Sequence, residues 1–553
     1  MSIGGGGDGI EGDRGPVLVR RGYSWRAAIV GLSAVASGCA VGPDFHKPAP
    51  WTPPHWTGPG ELSAKAASAG HPGPARGPVA SDIVDTAPDP AWWDVFHDAE
   101  LSALERRVAS ENLSVAIATA RLAQSRSQLR IAGAERYPGL SAAGSYSRSQ
   151  YSTKMLQRIV SDVGKSQQLN LNGTNLSDLS GQFTIPLLDQ WRDSIDATWE
   201  VDLWGRVRRQ YEAASADLDT SVEERRGVLT AQMAEVARDY VALREAQAQL
   251  RILMDNRDTA AHTLELSQQR NSAGLVTELD VQSAQSQLDA VTARIPQMEQ
   301  QIAVQVNALS LLLGAPPAAL AGELLKDTDI PPVPPRVPAG LPSELARRRP
   351  DIRQAEAQLH AATAQVGEAV AEFYPRVTID AGFGFQSLSF RDLGFWNARA
   401  WNVGPSISLP IFQGGRLRGQ LELRKAAQQE AAISYRRTVL GAWHEVDNAL
   451  TAYRDEQMRH DSLARQVAAD GRSLDLARDQ YRHGMVTFLT VLDAERRVLA
   501  AQTDLTTSTA TLSTNLVQLY AALGGGWETA FPDRAAAPQV ATLPQSAASH
   551  GPA

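Results

Sequence analysis

The chain has 553 residues, 43% of them apolar but only 6% aromatic, and a formal charge of −8. Such a length exceeds one ordinary domain, and the excess of small over bulky apolar residues suits closely packed, alanine-rich helices. Charges of both signs are interspersed, as on solvated helix faces, which excludes nucleic acid as a partner. The ten histidines are scattered without metal-ligand spacing, and neither a nucleophile motif nor a phosphate loop is present. The expectation is no catalytic residue, no metal site and no enzyme.

In chain order, residues 1–38 read as a secretory signal. Arg20, Arg21 and Arg26 precede an apolar run from Ala27 to Ala36, followed by Ser37, Gly38 and Cys39. The run is too short for a bilayer-spanning helix, which takes about 20 apolar residues. Ala36-Ser37-Gly38-Cys39 resembles a bacterial lipobox, with Ala36 where such boxes most often carry Leu. In that resemblance Cys39, the single cysteine, becomes the lipidated first residue of the mature protein, and Ala40 beside it implies sorting to the outer membrane. The alternative for Cys39 is a buried free thiol. Residues 1–13 are Gly-rich and acidic, unlike a signal start, so translation is expected to begin downstream. Residues 39–90, dominated by Pro, Gly and Ala, read as a flexible tether with little fold of its own. Order is expected from Trp92, Trp93 and Phe96, which anchor the first helix to the body rather than bind a ligand.

The rest of the chain is written twice. GLVTELDVQ from Gly274 returns as GMVTFLTVL from Gly484, Gly205-Arg206-Val207-Arg208 returns as Gly415-Arg416-Leu417-Arg418, and Leu313-Gly314 returns as Leu523-Gly524, all 210 residues later. This is a duplicated half-domain, far longer than a solenoid repeat. Between Pro186 and Pro296, and between Pro410 and Pro532, there is no proline, so each half can carry very long helices; Val207 to Ala273 alone would reach about 100 Å. Leu229, Val236, Leu243 and Leu250 fall seven apart, and Val439, Val446 and Tyr453 take the matching register with Trp443 and Leu450 interleaved, which is coiled-coil spacing. A soluble coiled coil remains the bland alternative until the strands are read.

Ile195, Ala197, Trp199, Val201 and Leu203 alternate with Asp196, Thr198, Glu200 and Asp202. Val377 to Gln386 and Trp401 to Leu409 alternate likewise, and a fainter partner runs from Leu140 to Tyr146. Amphipathic segments of about ten residues are what a transmembrane β-barrel uses, with water on the polar side. Four strands cannot close alone, since bacterial barrels begin at about eight, so several chains must share one barrel. From Pro138 to Arg206 the first half is longer than its counterpart, and residues 151–180 are the expected extra surface loop. Glycines 274 and 484 let each helix reverse, and Leu275, Val276, Met485 and Val486 place apolar groups at an exposed apex, which marks a docking face.

At this point the chain is similar to a family. CAVGPDFHKP, WWDVFHDAEL, LPSELARRRPDIRQAEAQL from Leu341 and LVQLYAALGGGW ending at Trp527 resemble, in that order, the TolC-like outer-membrane factors of tripartite efflux systems, in their NodT/OprM-like lipoprotein branch. The resemblance implies an α+β membrane protein: a homotrimeric channel with four transmembrane strands per chain in a shared β-barrel and long coiled-coil helices in a periplasmic α-barrel. It implies repeats at 91–314 and 351–527, an equatorial linker at 315–350 and a disordered tail at 528–553. Its partners would be a periplasmic adaptor gripping the tips, an inner-membrane resistance-nodulation-division transporter and outer-membrane lipid, with no cofactor beyond the lipid on Cys39. Tyr481, Leu489, Asp493 and Arg496, with Asp280 in the first half, match pore-closing positions, and Asp493 and Arg496, three apart, are expected to pair. The implied function is a passive exit duct for small molecules. The alternatives are a lipid-anchored periplasmic scaffold without a pore and a channel for type I protein secretion.

Overall fold

The computed structural model describes residues 40–49, 82–84, 86–150, 154, 170–171, 174–175, 187–340 and 344–533. Cys39, the signal segment and most of the 151–180 insertion lie outside the described residues. The chain divides into two compact units. One comprises Pro138–Arg208 and Val370–Ile411 with the segment ending at Gly42, and the other comprises Pro43–Tyr137, Arg209–Ala369 and the chain from Phe412 onward.

The first unit is a sheet. Strands β2 (Gly139–Ser149), β5 (Leu188–Val201), β7 (Arg376–Ser387) and β8 (Arg399–Ser408) lie antiparallel in the order β2-β5-β7-β8. The pairings Leu140↔Ala197, Ile195↔Phe383, Phe383↔Trp401 and Val377↔Ile407 put the apolar residues of all four strands on one face, as the period-two pattern requires. The opposite face carries Asp196, Thr198, Glu200, Asp380 and Asn402, with the Thr198 hydroxyl donating to Asp380 at 3.1 Å. Leu203 falls just past the end of β5, in the turn rather than on the strand. Strands of 10 to 14 residues match the roughly 9 to 11 needed to cross a bilayer. Trp401, Val403 and Ile407 are exposed in the single chain, and β2 and β8 have no partner on their outer sides among the described residues.

The second unit is helical: α1 (Ala99–Glu111), α2 (Leu113–Ala134), α3 (Arg206–Ser272), α4 (Glu278–Thr292), α5 (Ile295–Leu312), α6 (Ala321–Leu324), α7 (Leu345–Arg348), α8 (Pro350–Ala371), α9 (Arg416–Arg482) and α10 (Phe488–Leu523). Helices α3 and α9 each run 67 residues and begin and end 210 apart, so the duplication is exact at their ends. The repeat breaks in the returning helix. Pro296 sits in the first turn of α5 and separates it from α4, while α10 has no proline and runs 36 residues unbroken. The heptad residues Leu229, Val236 and Leu243, with Val446 and Tyr453 from the second half, are fully buried in one apolar cluster. Trp92 stacks on Tyr520 with ring centroids 5.7 Å apart and packs edge-on against Trp93 and Phe96, which anchors the start of α1. No described helix is long and apolar enough to cross a membrane, which does not bear on a β-barrel.

Two expectations about structureless segments need correction. The 39–90 tether is structured at both ends: the Val41 amide donates to the Trp204 carbonyl, Asp44 pairs with Arg209 at 2.6 Å, and Phe45 stacks on His360 at 4.4 Å. At its far end β1 (Asp82–Val84) pairs in parallel with β6 (Arg336–Pro338). The 315–350 linker contains α6, β6 and α7. The start of the 528–553 tail is also packed, with Arg225 over the Phe531 ring and Asp533 paired to Arg353 and Arg226. The common reason is that charged and aromatic residues in these stretches find partners far away in sequence, which local composition does not report. Within the insertion, β3 (Asn170–Leu171) pairs with β4 (Thr174–Asn175).

Glu105 on α1 is fully buried, and neither carboxyl oxygen has a hydrogen-bond partner among the described residues. Burial pushes its pKa well above the usual carboxylate range. A group that holds its proton more tightly folded than unfolded costs nothing below the ordinary glutamate range and lowers stability as pH rises above it. Glu105→Gln is expected to raise thermal stability by about 1–3 kcal/mol at pH 8 and far less at pH 4. Melting curves at the two pH values check this, and an equal shift at both would contradict it.

The helix tips as candidate functional site

Each long helix ends in the same construction. At Gly274 the backbone turns left-handed (φ 70°), the Leu275 amide donates to the Arg270 carbonyl and the Gly274 amide to the Asn271 carbonyl, both at 2.9 Å. At Gly484 (φ 72°) Met485 donates to Gln480 and Gly484 to Tyr481. This double bond pattern closes a helix C-terminus and needs a residue without a β-carbon penalty at the turn, which is why both tips keep glycine. The closure leaves Leu275 and Met485 facing outward, 70% and 65% exposed, with Val276 and Val486 half-buried beneath them.

The helices that return from the tips start differently. In the first half the Thr277 amide and hydroxyl both donate to the Asp280 carboxylate at 3.0 Å, a capping box at the start of α4. Thr490 occupies the repeat-equivalent position, and its hydroxyl lies 3.4 Å from the Thr487 hydroxyl. Asp280 is thus occupied with its own helix start. Below the tips, Leu264, Val281, Ala284, Phe488 and Leu492 form an apolar layer tying the two hairpins together. Tyr481 packs at its margin, its ring 5.6 Å from Phe488 and under the Arg270 guanidinium at 4.9 Å.

Between α4 and α10 lies a groove of about 300 Å³ lined by Gln282, Ser283, Leu489, Asp493 and Arg496. The sequence expectation for its charges is corrected here: Asp493 pairs with Arg497, four residues on, and Arg496 donates to Gln287 of α4 at 2.9 Å. On a helix the i,i+4 position is the better neighbour for Asp493, which frees Arg496 to cross to the facing helix. The structure brings Leu489, Asp493 and Arg496 into one groove, while Tyr481 and Asp280 do not line it. Deeper in, a polar cavity of about 190 Å³ holds buried Glu495, which accepts from Arg478 at 2.9 Å. Gln287, Arg478, Glu495 and Arg497 escaped sequence reasoning because their partners sit on other helices or one helical turn away. Among the described residues no cluster of His, Cys, Asp or Glu could hold a metal ion.

An amphipathic four-stranded antiparallel sheet joined to paired 67-residue helices defines the outer-membrane channel class. Residues 104–315 and 341–525 match the family described as "Outer membrane efflux protein", and the chain belongs to it. It is similar to the probable efflux pump outer membrane protein TtgC of Pseudomonas putida, 32% identical over 494 residues and spanning 89% of this chain and 94% of that one. It is also similar to the probable outer membrane lipoprotein SilC of Salmonella typhimurium, 28% identical across 80% and 90%. Among solved structures, the outer-membrane channel OprN is 31% identical with a TM-score of 0.76, covering 89% of this chain and all of that one. The protein is an outer-membrane efflux channel of TolC-like fold.

Proposed function

We propose that three copies of this chain pool their sheets into one barrel and their helices into one tunnel, forming the exit duct of a tripartite pump for small molecules. The observation that carries this reading is the sheet itself: among the described residues of the single chain its apolar face is uncovered and both its edges are open. Open edges of 10 and 11 residues invite pairing with another copy, and closure removes them. In this reading Cys39 carries the lipid anchor, and Leu275, Val276, Met485 and Val486, with Gly274 and Gly484 shaping the turns, meet a periplasmic adaptor. The adaptor links the duct to an inner-membrane transporter of the resistance-nodulation-division class, which supplies the energy. SilC, a relative described as a lipoprotein, supports the anchor.

Tyr481, Leu489, Asp493, Arg496 and Asp280 are proposed to restrict the tunnel at the tips. A single exposed ion pair such as Asp493 with Arg497 is worth about 0–1 kcal/mol and makes a poor lock. Three copies around an axis present a ring of Leu489 and a ring of charge, which together exclude ions far better than one pair. The test is single-channel recording in planar bilayers on protein that migrates as a heat-modifiable trimer. Wild type is expected to conduct weakly, and Asp493→Ala with Arg496→Ala severalfold more. A monomer that carries no current would overturn the duct, and an unchanged current in the double variant would overturn the gate alone.

A further inference from the structure

The chain enters and leaves the sheet at one end only: α2 and α8 lead into β2 and β7, and α3 and α9 follow β5 and β8. The opposite end carries the β7–β8 turn, residues 388–398, and it is unusually aromatic. Tyr146, Trp191 and Phe390 form a contact chain with centroid spacings of 4.3 and 4.9 Å, and Phe395 and Trp396 stand exposed in the turn. Arg399 opens β8 opposite Phe385, and two residues on, the pair Phe383↔Trp401 begins the exposed apolar face. By strand alternation Arg399 therefore belongs to the same face as Trp401, Val403 and Ile407, at the upper edge of the apolar band. Its guanidinium lies 4.6 Å from the Trp396 ring centroid and donates to the Trp396 carbonyl at 2.7 Å. No carboxylate pairs with Arg399 or with exposed Arg391 among the described residues, and the turn together with the first residue of β8 holds two arginines against the single Asp392.

We propose that Arg399, Trp396 and Arg391 form a binding site for the phosphate-bearing headgroup of an outer-leaflet glycolipid. This rests on the outer-membrane reading of the sheet. Two cations without carboxylate partners call for an anion, and the exposed apolar face continuous with Arg399 calls for acyl chains beneath it, a combination that a soluble phosphate does not satisfy. Tryptophan at that level places its ring across the apolar boundary and stacks on the arginine that holds the phosphate.

The test uses full-length detergent-extracted protein, with lipid A, phosphatidylethanolamine and the deacylated bisphosphorylated disaccharide of lipid A as probes. Retention is read by native mass spectrometry, and single-channel current is read on the same sample. Wild type is expected to retain lipid A over phosphatidylethanolamine. Arg391→Gln with Arg399→Gln should weaken that retention by roughly 25-fold, about fivefold for each arginine. Arg399→Lys should keep most of it, and all variants should still conduct. Equal retention by wild type and the double glutamine variant would overturn the site, and so would equally tight binding of the deacylated sugar. Wild-type protein that forms no channel would instead overturn the reading beneath it.

Discussion

Gly384→Ala is expected to abolish assembly of the sheet, while Gly404→Ala leaves it intact. Both glycines lie on the polar face of the β7–β8 hairpin, Gly384 buried and Gly404 half-buried, so polarity does not separate them. What separates them is the neighbouring backbone. A β-carbon at 384 would sit 1.9 Å from the Asp193 carbonyl oxygen and 2.7 Å from the Ser194 α-carbon, whereas at 404 it would meet nothing within 4 Å. A side chain can rotate away from a clash, but a strand backbone held in register at Ser194↔Gly384 cannot, so β5 and β7 must separate. Ordinary overpacking costs about 1–3 kcal/mol, and a main-chain collision lies above that range. Gly382→Ala should fall between the two, because its β-carbon would meet only the side-chain oxygens of Asn402 and Asp196. The readout is heat-modifiable oligomer in the outer-membrane fraction. Equal yield for the 384 and 404 variants would show that the close approach is not a constraint.

Arg349→Ala is expected to cost about 3 kcal/mol of stability, the lower end of the range for breaking a buried ion pair. Only 9% of the Arg349 side chain is exposed, and it reaches four acceptor atoms at once: both Asp351 oxygens at 2.9 and 2.6 Å, Glu445 at 2.7 Å and the Ala522 carbonyl at 2.7 Å. It thereby joins the start of α8, the middle of α9 and the last turn of α10. The loss stays at the low end because Asp351 and Glu445 are themselves about half exposed and rehydrate when the cation goes. Arg349→Lys should recover part of the loss, since an ammonium cannot form the paired bonds to Asp351. Arg251 provides the contrast. It pairs with Asp327 and Asp329 at the surface, and its alanine variant should lose under about 1 kcal/mol. Thermal denaturation of the extracted protein compares the three, and equal losses for Arg349→Ala and Arg251→Ala would refute the argument.

Much of the fold was legible because it is periodic. The 210-residue offset located both tips and both 67-residue helices, and the period-two runs located three strands with their apolar faces correctly assigned, except Leu203 and Leu409, which fall past the ends of β5 and β8. Heptad spacing picked out Leu229, Val236 and Leu243, all fully buried, but it lost force towards the tip, where Leu250 is only partly buried. The candidate site was legible in its glycines and apex residues, and less so in its polar pairs. Asp493 with Arg496 was the natural reading of one helix, yet Arg496 bonds to Gln287, 209 residues away.

By itself, then, the sequence determined whatever repeats along the chain: helix length, strand alternation, glycine turns and the duplicated plan, since each follows from local geometry with a period of 2, 3.6 or 7. Tertiary structure alone decided the order of the strands, the anchoring of Asp44 on Arg209, the four-way reach of Arg349 and the partners in the tip groove. Those depend on which distant surfaces meet, and a polar side chain takes whichever neighbour the packed backbone brings within about 3 Å, information that no local pattern encodes.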